Sequence, residues 1–297
     1  PKGALAFTTV SQREATLADG FRGWIDDDIE VVAKERIFGD QSRAENRRYN
    51  AQLMDTSKLA AITVALRRLA YEVDIRTSGT VVRQLVEGAP AAAALEVDDV
   101  VVAIDGEPLD HMGELGELLQ PGGPGATHTL TVERPAGSDT RIEIPVATIA
   151  ATDDPTRALI GIVPEERIVD FTFPIDVTID SGNVGGPSAG LAFTLAILDV
   201  LTPGELTGGR KVAVTGTIDF DGNVGPVGGA LQKAVAVRNA GYEAFLVPSD
   251  EYEIVQRRVG ADLRVIAVDT LQEALAALAS LGGDLASLGT PGAAPAR

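Results

Sequence analysis

The sequence predicts an α+β multidomain protein, and three observations carry that expectation. The chain has 297 residues, more than one ordinary hydrophobic core accommodates, so two or three units are expected. Helical periodicity near the N-terminus gives way at about Tyr71 to short strands and turns. From about Ala147, strands and helices alternate, the pattern of a layered α/β domain. The chain is therefore divided into a helical and β lead-in over 1–70, a small β domain over 71–146, an α/β domain over 147–281 and a flexible, Gly/Ala/Pro-rich tail over 282–297.

The elements follow in order. "GALAFTTV" reads as a strand, and "LADGFRGWIDDD" mixes apolar and acidic residues at helical spacing. "RRYNAQLMDTSKLAAITVALRRLAY" predicts one longer helix with Leu53, Met54, Leu59, Ile62 and Leu66 on its apolar face. No chemistry is expected in this segment, which reads as a structural collar. In the next unit, a strand over Val81–Val86, a Gly-Ala-Pro break and a short Ala-rich helix precede the apolar strand Val100–Ile104. That strand ends in Asp105-Gly106, a hairpin pair. A helix around Met112–Leu119 and the strands "HTLTVERP" and "TRIEIPV" complete the unit.

In the third unit, "ALIGIVP" and "PIDVTID" predict strands leading into "NVGGPSAGLAFTLAILDVL" at 183–201. Next come the strand "RKVAVTGTID", an Asp221-Gly222-Asn223 turn, and the helix "GALQKAVAVRNAG" stopping at Gly241, a natural C′ residue. "AFLVP" and "LRVIAV" read as strands. "TLQEALAALASL" reads as a closing helix, capped by Thr270 with Glu273 three residues on.

Composition narrows the function. Hydrophobic residues make up 45% but aromatics only 4%, so the core is built from Ala, Val, Leu and Ile. A formal charge of -18 disfavours nucleic acid and anionic membrane surfaces as partners. The absence of Cys excludes a thiol nucleophile, a disulfide frame and a thiolate metal site. No apolar run reaches the roughly 18 charge-free residues that a spanning helix needs. The sequence opens on Pro1 rather than Met, which suggests that a leader or anchor has been removed. Neither G-x-x-x-x-G-K-[ST] nor a G-x-G-x-x-G strand-to-helix turn occurs, so no nucleotide-hydrolysing module is expected. No metal or cofactor is expected.

Two residues stand out chemically. Ser188 sits between the glycine-rich turn Gly185-Gly186-Pro187 and an apolar helix, a place for either an N-cap or a nucleophile. The helix is apolar all round and must be buried, so its free N–H groups and positive dipole end face whatever lies beside Ser188. That arrangement suits an oxyanion. Gly185, Gly186 and Gly190, with Pro187 and Ala189, make up the loop that a substrate would approach. A Ser nucleophile needs a base, and the only histidines, His111 and His128, lie in the preceding unit. Lys233 has the context for that role, because its helical neighbours Ala230, Ala236, Val237 and Ala240 are all small and apolar. It also lies in a first helical turn, where the dipole favours a neutral amine. The alternative is a lysine snorkelling to the surface.

The order "GAPAAAAL", "VDDVVVAIDG", "LTVER" resembles a bacterial-type PDZ domain. The resemblance implies capture of an extended peptide by strand addition near Ser78, Gly79, Thr80, Val81 and Val82. The alternative is a small β domain that only packs. "GGPSAG" followed by "TGTIDFDGNVGPVGGALQKA" resembles the proteolytic domain of Lon-type serine peptidases, which use a Ser-Lys dyad. By position, the resemblance implies Ser188 as nucleophile, Lys233 as general base and Thr215 as the threonine that helps hold the lysine. PDZ followed by Lon is the order of membrane-anchored PDZ–Lon proteases of Gram-positive bacteria. That order implies a single-pass anchor outside this chain and an extracytoplasmic catalytic part at the cell membrane, and the resemblance to Lon-type domains, which often form rings, implies a homo-oligomer. Gly185 and Thr217 stand where ATP-dependent Lon proteases have Asp and Glu, and Asp180 is the candidate acidic residue upstream of the nucleophile. The expected function is ATP-independent cleavage of a protein or peptide substrate. Its rivals are a PDZ scaffold with a catalytically silent Lon-like domain and, on glycine loops alone, a nucleotide-binding switch.

Overall fold

The computed structural model describes residues 3–10, 15–16, 31–33, 42–134, 140–152 and 154–288. The helix expected from "LADGFRGWIDDD" and the last nine residues of the tail lie outside the described residues. The chain forms two compact units, one built from Pro1–Val73 together with Phe173–Arg297 and one from Asp74–Thr172. The N-terminal segment is thus not a separate lead-in: it supplies a strand and a helix to the same unit as the Ser188 region.

That unit opens with β1 (Ala4–Phe7) and α1 (Arg43–Arg68). On α1, Met54, Ile62 and Leu66 are buried as their spacing predicts, while Leu53 and Leu59 are half-buried. From Ala60 to Leu66 every residue is buried, Thr63 included, whose hydroxyl returns to the Leu59 carbonyl at 2.8 Å.

The chain then builds the second unit. It runs through β2 (Asp74–Leu85), a 3-10 turn at Pro90–Ala93, β3 (Val100–Ile104) and β4 (Glu107–Pro108). A 3-10 turn at Met112–Glu114 leads into α2 (Leu115–Leu119). There follow β5 (Thr127–Glu133), β6 (Arg141–Ala147), the short pair β7 (Ile149–Ala150) and β8 (Ala158–Leu159), and β9 (Ile162–Thr172). The main sheet has the order β6-β5-β3-β2-β9, with β4 paired to β3. Asp105 and Gly106 have φ values of 51° and 85°, the left-handed pair that a tight hairpin requires. Val82, Leu95, Val101, Ile104, Leu130 and Ile160 close the core. Strand β9 pairs with β2 from Leu85↔Ile162 to Asp74↔Thr172. The stretch "ALIGIVP" therefore belongs here, and the expected boundary near residue 147 moves to 172/173.

Back in the first unit come α3 (Gly190–Leu201), β10 (Lys211–Val214) and the hairpin of β11 (Thr217–Ile218) and β12 (Val224–Gly225). The hairpin turn is held by Asp219 Oδ1, which accepts from the Asp221 and Asn223 N–H groups at 2.9 and 2.8 Å. Then follow α4 (Ala230–Asn239), β13 (Ala244–Val247), α5 (Ser249–Val259), β14 (Arg264–Ala267) and α6 (Leu271–Ser280). Helix α4 ends as expected. Gly241 sits at φ 72°, with its N–H on the Arg238 carbonyl and that of Tyr242 on Val237 at 3.0 and 3.2 Å, a Schellman cap. Thr270 caps α6 by accepting the Glu273 N–H at 3.2 Å.

Strands β1, β10, β13 and β14 form a parallel sheet in that order. Alternation across the strands decides its two faces. Val212, Val214, Ala244 and Leu246 pack with α1, α3 and α6, whereas Ala213, Phe245 and Val247 pack with α4 and α5. This is a three-layer α/β/α arrangement. The stretch "PIDVTID" alternates as expected, Ile175, Val177 and Ile179 lying against the core. It pairs with no strand among the described residues, because the edge of the sheet is taken by β1. Within the expected flexible tail, Ala286–Leu288 forms a 3-10 turn and Leu288 is 4% exposed in the core.

Candidate active site

The loop before Ser188 takes its shape from α1. Gly186, at φ 87°, donates its N–H to the Asn50 carbonyl at 2.8 Å, and Ser57 Oγ donates to the Pro187 carbonyl at 3.1 Å. A Cβ on Gly185 would stand 3.1 Å from Asn50 Cβ, so backbone and helix approach closely here. Ser188 lies two residues before Gly190, the first residue of α3. The cap position belongs to Ala189, and no side chain caps the helix. The N-cap reading of Ser188 therefore fails, and its hydroxyl has no hydrogen-bond partner among the described residues.

The first N–H groups of α3 divide in two. Those of Gly190 and Leu191 are used, on the Pro187 and Gly216 carbonyls at 3.2 Å each. Those of Ser188 and Ala189 donate to no acceptor among the described residues. Because α3 is buried along almost its whole length, these two free donors lie at a positive helix end.

Lys233, in the first turns of α4, is 3% exposed, so the snorkelling alternative is ruled out. Its Nζ donates to Thr215 Oγ1 at 3.1 Å. Thr215 Oγ1 in turn donates to the Ser188 carbonyl at 3.2 Å, which also accepts the Gly216 N–H at 3.0 Å. One hydroxyl thus connects the lysine to the Ser188 main chain, bringing the three expected residues together. Among the described residues, no hydrogen bond joins Ser188 Oγ directly to Lys233 Nζ. Burial pushes the Lys233 amine down from its ordinary 10.5 to about 8, against a smaller upward pull from the Glu251 charge. A neutral amine is accordingly within reach near neutral pH.

Three residues at or near the site escaped the sequence reading. Ser57 lies between buried Met54 and Ala61 on α1, and a polar residue inside an apolar stripe was the available signal. Asn50 lies two helical turns earlier on the same side. Glu251, at the start of α5, is 8% exposed and accepts the Val227 N–H on Oε1 at 2.9 Å. Its position resembles any dipole-matching acid in a first helical turn, so nothing local marked it as buried. Asp180, the acidic candidate from sequence, is exposed and closes its own turn on the Gly182 N–H at 2.9 Å. Along α3, an apolar cavity of about 540 Å³ is lined by Leu5, Phe7, Val177, Phe193 and Val200, with Asp176 and Asp180 among its polar groups.

In the second unit, Ser78–Val82 does not offer the expected open strand edge. Thr80 and Val81 pair with β3 on one side and with β9 on the other. Thr80 and Val82 are fully buried, and the Gly79 N–H is held by the Leu109 carbonyl at 2.6 Å. The edges of this sheet are instead β6 and β9. His128 is tied to Asp105 at 2.7 Å, and His111 caps the Met112–Glu114 turn. Neither belongs to the Ser188 unit.

Comparison with known proteins follows the same division. Residues 169–280 match the family model of the Lon protease (S16) C-terminal proteolytic domain, and residues 81–134 match that of the PDZ domain. The chain is 28% identical over 169 residues to a Lon protease of Campylobacter concisus (strain 13826), covering 55% of this chain and 20% of that protein. It is 30% identical over 115 residues to Lon protease 2 of Bacillus subtilis (strain 168), covering 39% of this chain and 19% of that protein. Among solved structures, the PDZ domain of the SdrC-like protein from Listeria monocytogenes is similar at 20% identity, over 29% of this chain and 87% of that chain, with a TM-score of 0.26. The chain spans about a fifth of the length of these two Lon proteases. It carries a PDZ domain followed by a Lon-type proteolytic domain.

Proposed function

We propose that this chain is a Ser-Lys endopeptidase that hydrolyses extended protein segments without hydrolysing nucleotide. The observation that carries the reading is the buried Lys233 amine, held by Thr215, whose hydroxyl is itself bonded to the Ser188 carbonyl. Thr215 takes one N–H of the amine and leaves its lone pair for the Ser188 hydroxyl. In the reaction, Ser188 Oγ attacks the scissile carbonyl carbon while its proton passes to Lys233 Nζ. The free Ser188 and Ala189 N–H groups stabilise the oxyanion. The resulting ammonium protonates the departing amine, and the acyl-enzyme is then hydrolysed by a water that Lys233 deprotonates. The apolar trough along α3 suits the side chains of an unfolded segment, and its aspartates favour nearby basic residues. In the PDZ unit, the outer strand β9 suits strand addition by an extended peptide.

Incubation of the purified chain with a disordered protein, read by mass spectrometry, tests this reading. Ser188→Ala and Lys233→Ala should each abolish cleavage with the fold intact. Retention of most of the rate by Lys233→Ala would remove the lysine from the mechanism. Peptide binding without product from the unaltered chain would favour a PDZ scaffold, the reading to which the unbonded Ser188 Oγ would then belong.

A further inference from the structure

We propose that Glu251 is a buried counter-charge to Lys233 and sets the pH range over which that lysine acts as a base. The inference rests on the peptidase reading for its functional meaning, but its physical content stands on the fold. Glu251 enters at the first turn of α5 and is buried. One carboxylate oxygen is anchored on the Val227 N–H, in the loop that leads into α4. The other, Oε2, is buried with no hydrogen-bond partner among the described residues. An isolated carboxylate in such a place is expensive unless a cation compensates it.

The buried cation on the facing helix is Lys233; the other cations of α4 and α5 are half-buried (Arg238, Arg258) or exposed (Arg257). Around α4 the packing is apolar, from Ala213 and Phe245 of the sheet to Val255 and Val259 of α5. The other groups facing this region are Thr215 after β10, Tyr242 after α4 and Tyr252 on α5. The Glu251 charge bears on the Lys233 amine and favours the ammonium, opposing burial. No direct ion pair joins the two among the described residues. The coupling therefore acts through space, in a water-poor interior where it is weakly screened. A carboxylate here works against catalysis at low pH and protects the fold from an uncompensated ammonium. Activity is thus confined towards alkaline pH more than burial of Lys233 alone would require.

Glu251→Gln tests the idea, because the amide oxygen still accepts the Val227 N–H while the charge is lost. With fluorescein-labelled casein as substrate, the acid limb of the Glu251→Gln pH–rate profile should move to lower pH. The rate at pH 6.5 should rise roughly twofold or more relative to that at pH 9. Glu251→Asp, which keeps the charge, should return the limb towards its original position. A purely structural role would lower the rate at all pH values without moving the limb. The chain has only five lysines, so ¹³Cε NMR titration of Lys233 gives a readout independent of cleavage. If Lys233 titrates at the same pH with and without the Glu251 charge, the counter-charge is refuted even where casein is cut. If the titration moves but no form of the protein cuts casein, the counter-charge stands and the peptidase reading falls.

Discussion

Lys233 concentrates the energetics of the site in one side chain. Its amine is buried, donates to a single hydroxyl and is pushed down to about 8, so near pH 7 most folded molecules carry an ammonium where water is scarce. The unfolded chain holds that proton up to 10.5, and between about 8 and 10.5 it binds more protons than the folded one. Stability should therefore rise with pH across that window. Lys233→Met, which fills similar space without charge, should be inactive yet more stable than the unaltered chain at pH 7, by about 3 kcal/mol. The gain should shrink towards zero as pH approaches 10.5. Urea unfolding of both forms at pH 7 and pH 10 checks the sign and the window. A stability difference independent of pH would mean that the amine is not depressed by burial. The apolar neighbours of Lys233 were legible in sequence from helical spacing. Glu251 was not, because its burial depends on the loop before α4, whose Val227 N–H it accepts, and nothing in the local sequence of α5 reports that contact.

Helix α3 shows how an element is placed by what it touches. Its first residue, Gly190, has no room for a side chain: a Cβ there would stand 2.7 Å from Ser57 Oγ and 2.8 Å from Ile218 Cγ2. Helix propensity favours Gly190→Ala by about 1 kcal/mol, but packing opposes it. We expect the variant to be destabilised by about 1–3 kcal/mol and to lose activity as α3 shifts away from α1. Thermal unfolding distinguishes the two, since a rise in Tm would show that the contact yields. Helices α1, α3, α4 and α6 were all legible from periodicity and caps, and Gly241 and Thr270 end or begin theirs as the local sequence dictates. The strand expected over "PIDVTID" had the right alternation but found no ladder. Side-chain pattern tells which face is buried, not whether a neighbouring backbone is present to pair with.

At the scale of the whole molecule, the PDZ unit is an insertion. Its first and last residues, Asp74 and Thr172, are paired across β2 and β9, so the two chain crossings lie within one strand spacing of about 5 Å. Replacing 74–172 by a short Gly-Ser linker should leave the first unit folded, with a cooperative melt by circular dichroism and continued cleavage of a short unstructured peptide. Loss of that melt would show that the inserted unit is required for the fold. From the sequence alone came the α+β class, the reading of residues 71–146 as PDZ-like, and the trio Ser188, Thr215 and Lys233. These depend on local composition, caps and motif spacing, which travel with the chain. Only the tertiary structure decided that β1 and α1 join the same unit as Ser188, that Asn50 and Ser57 shape the loop before Ser188, and that β9 occupies the edge of β2. Each of those facts is a contact between segments far apart in sequence. Periodicity reports that a face must be buried, but the partner that buries it is chosen only when the whole chain is packed.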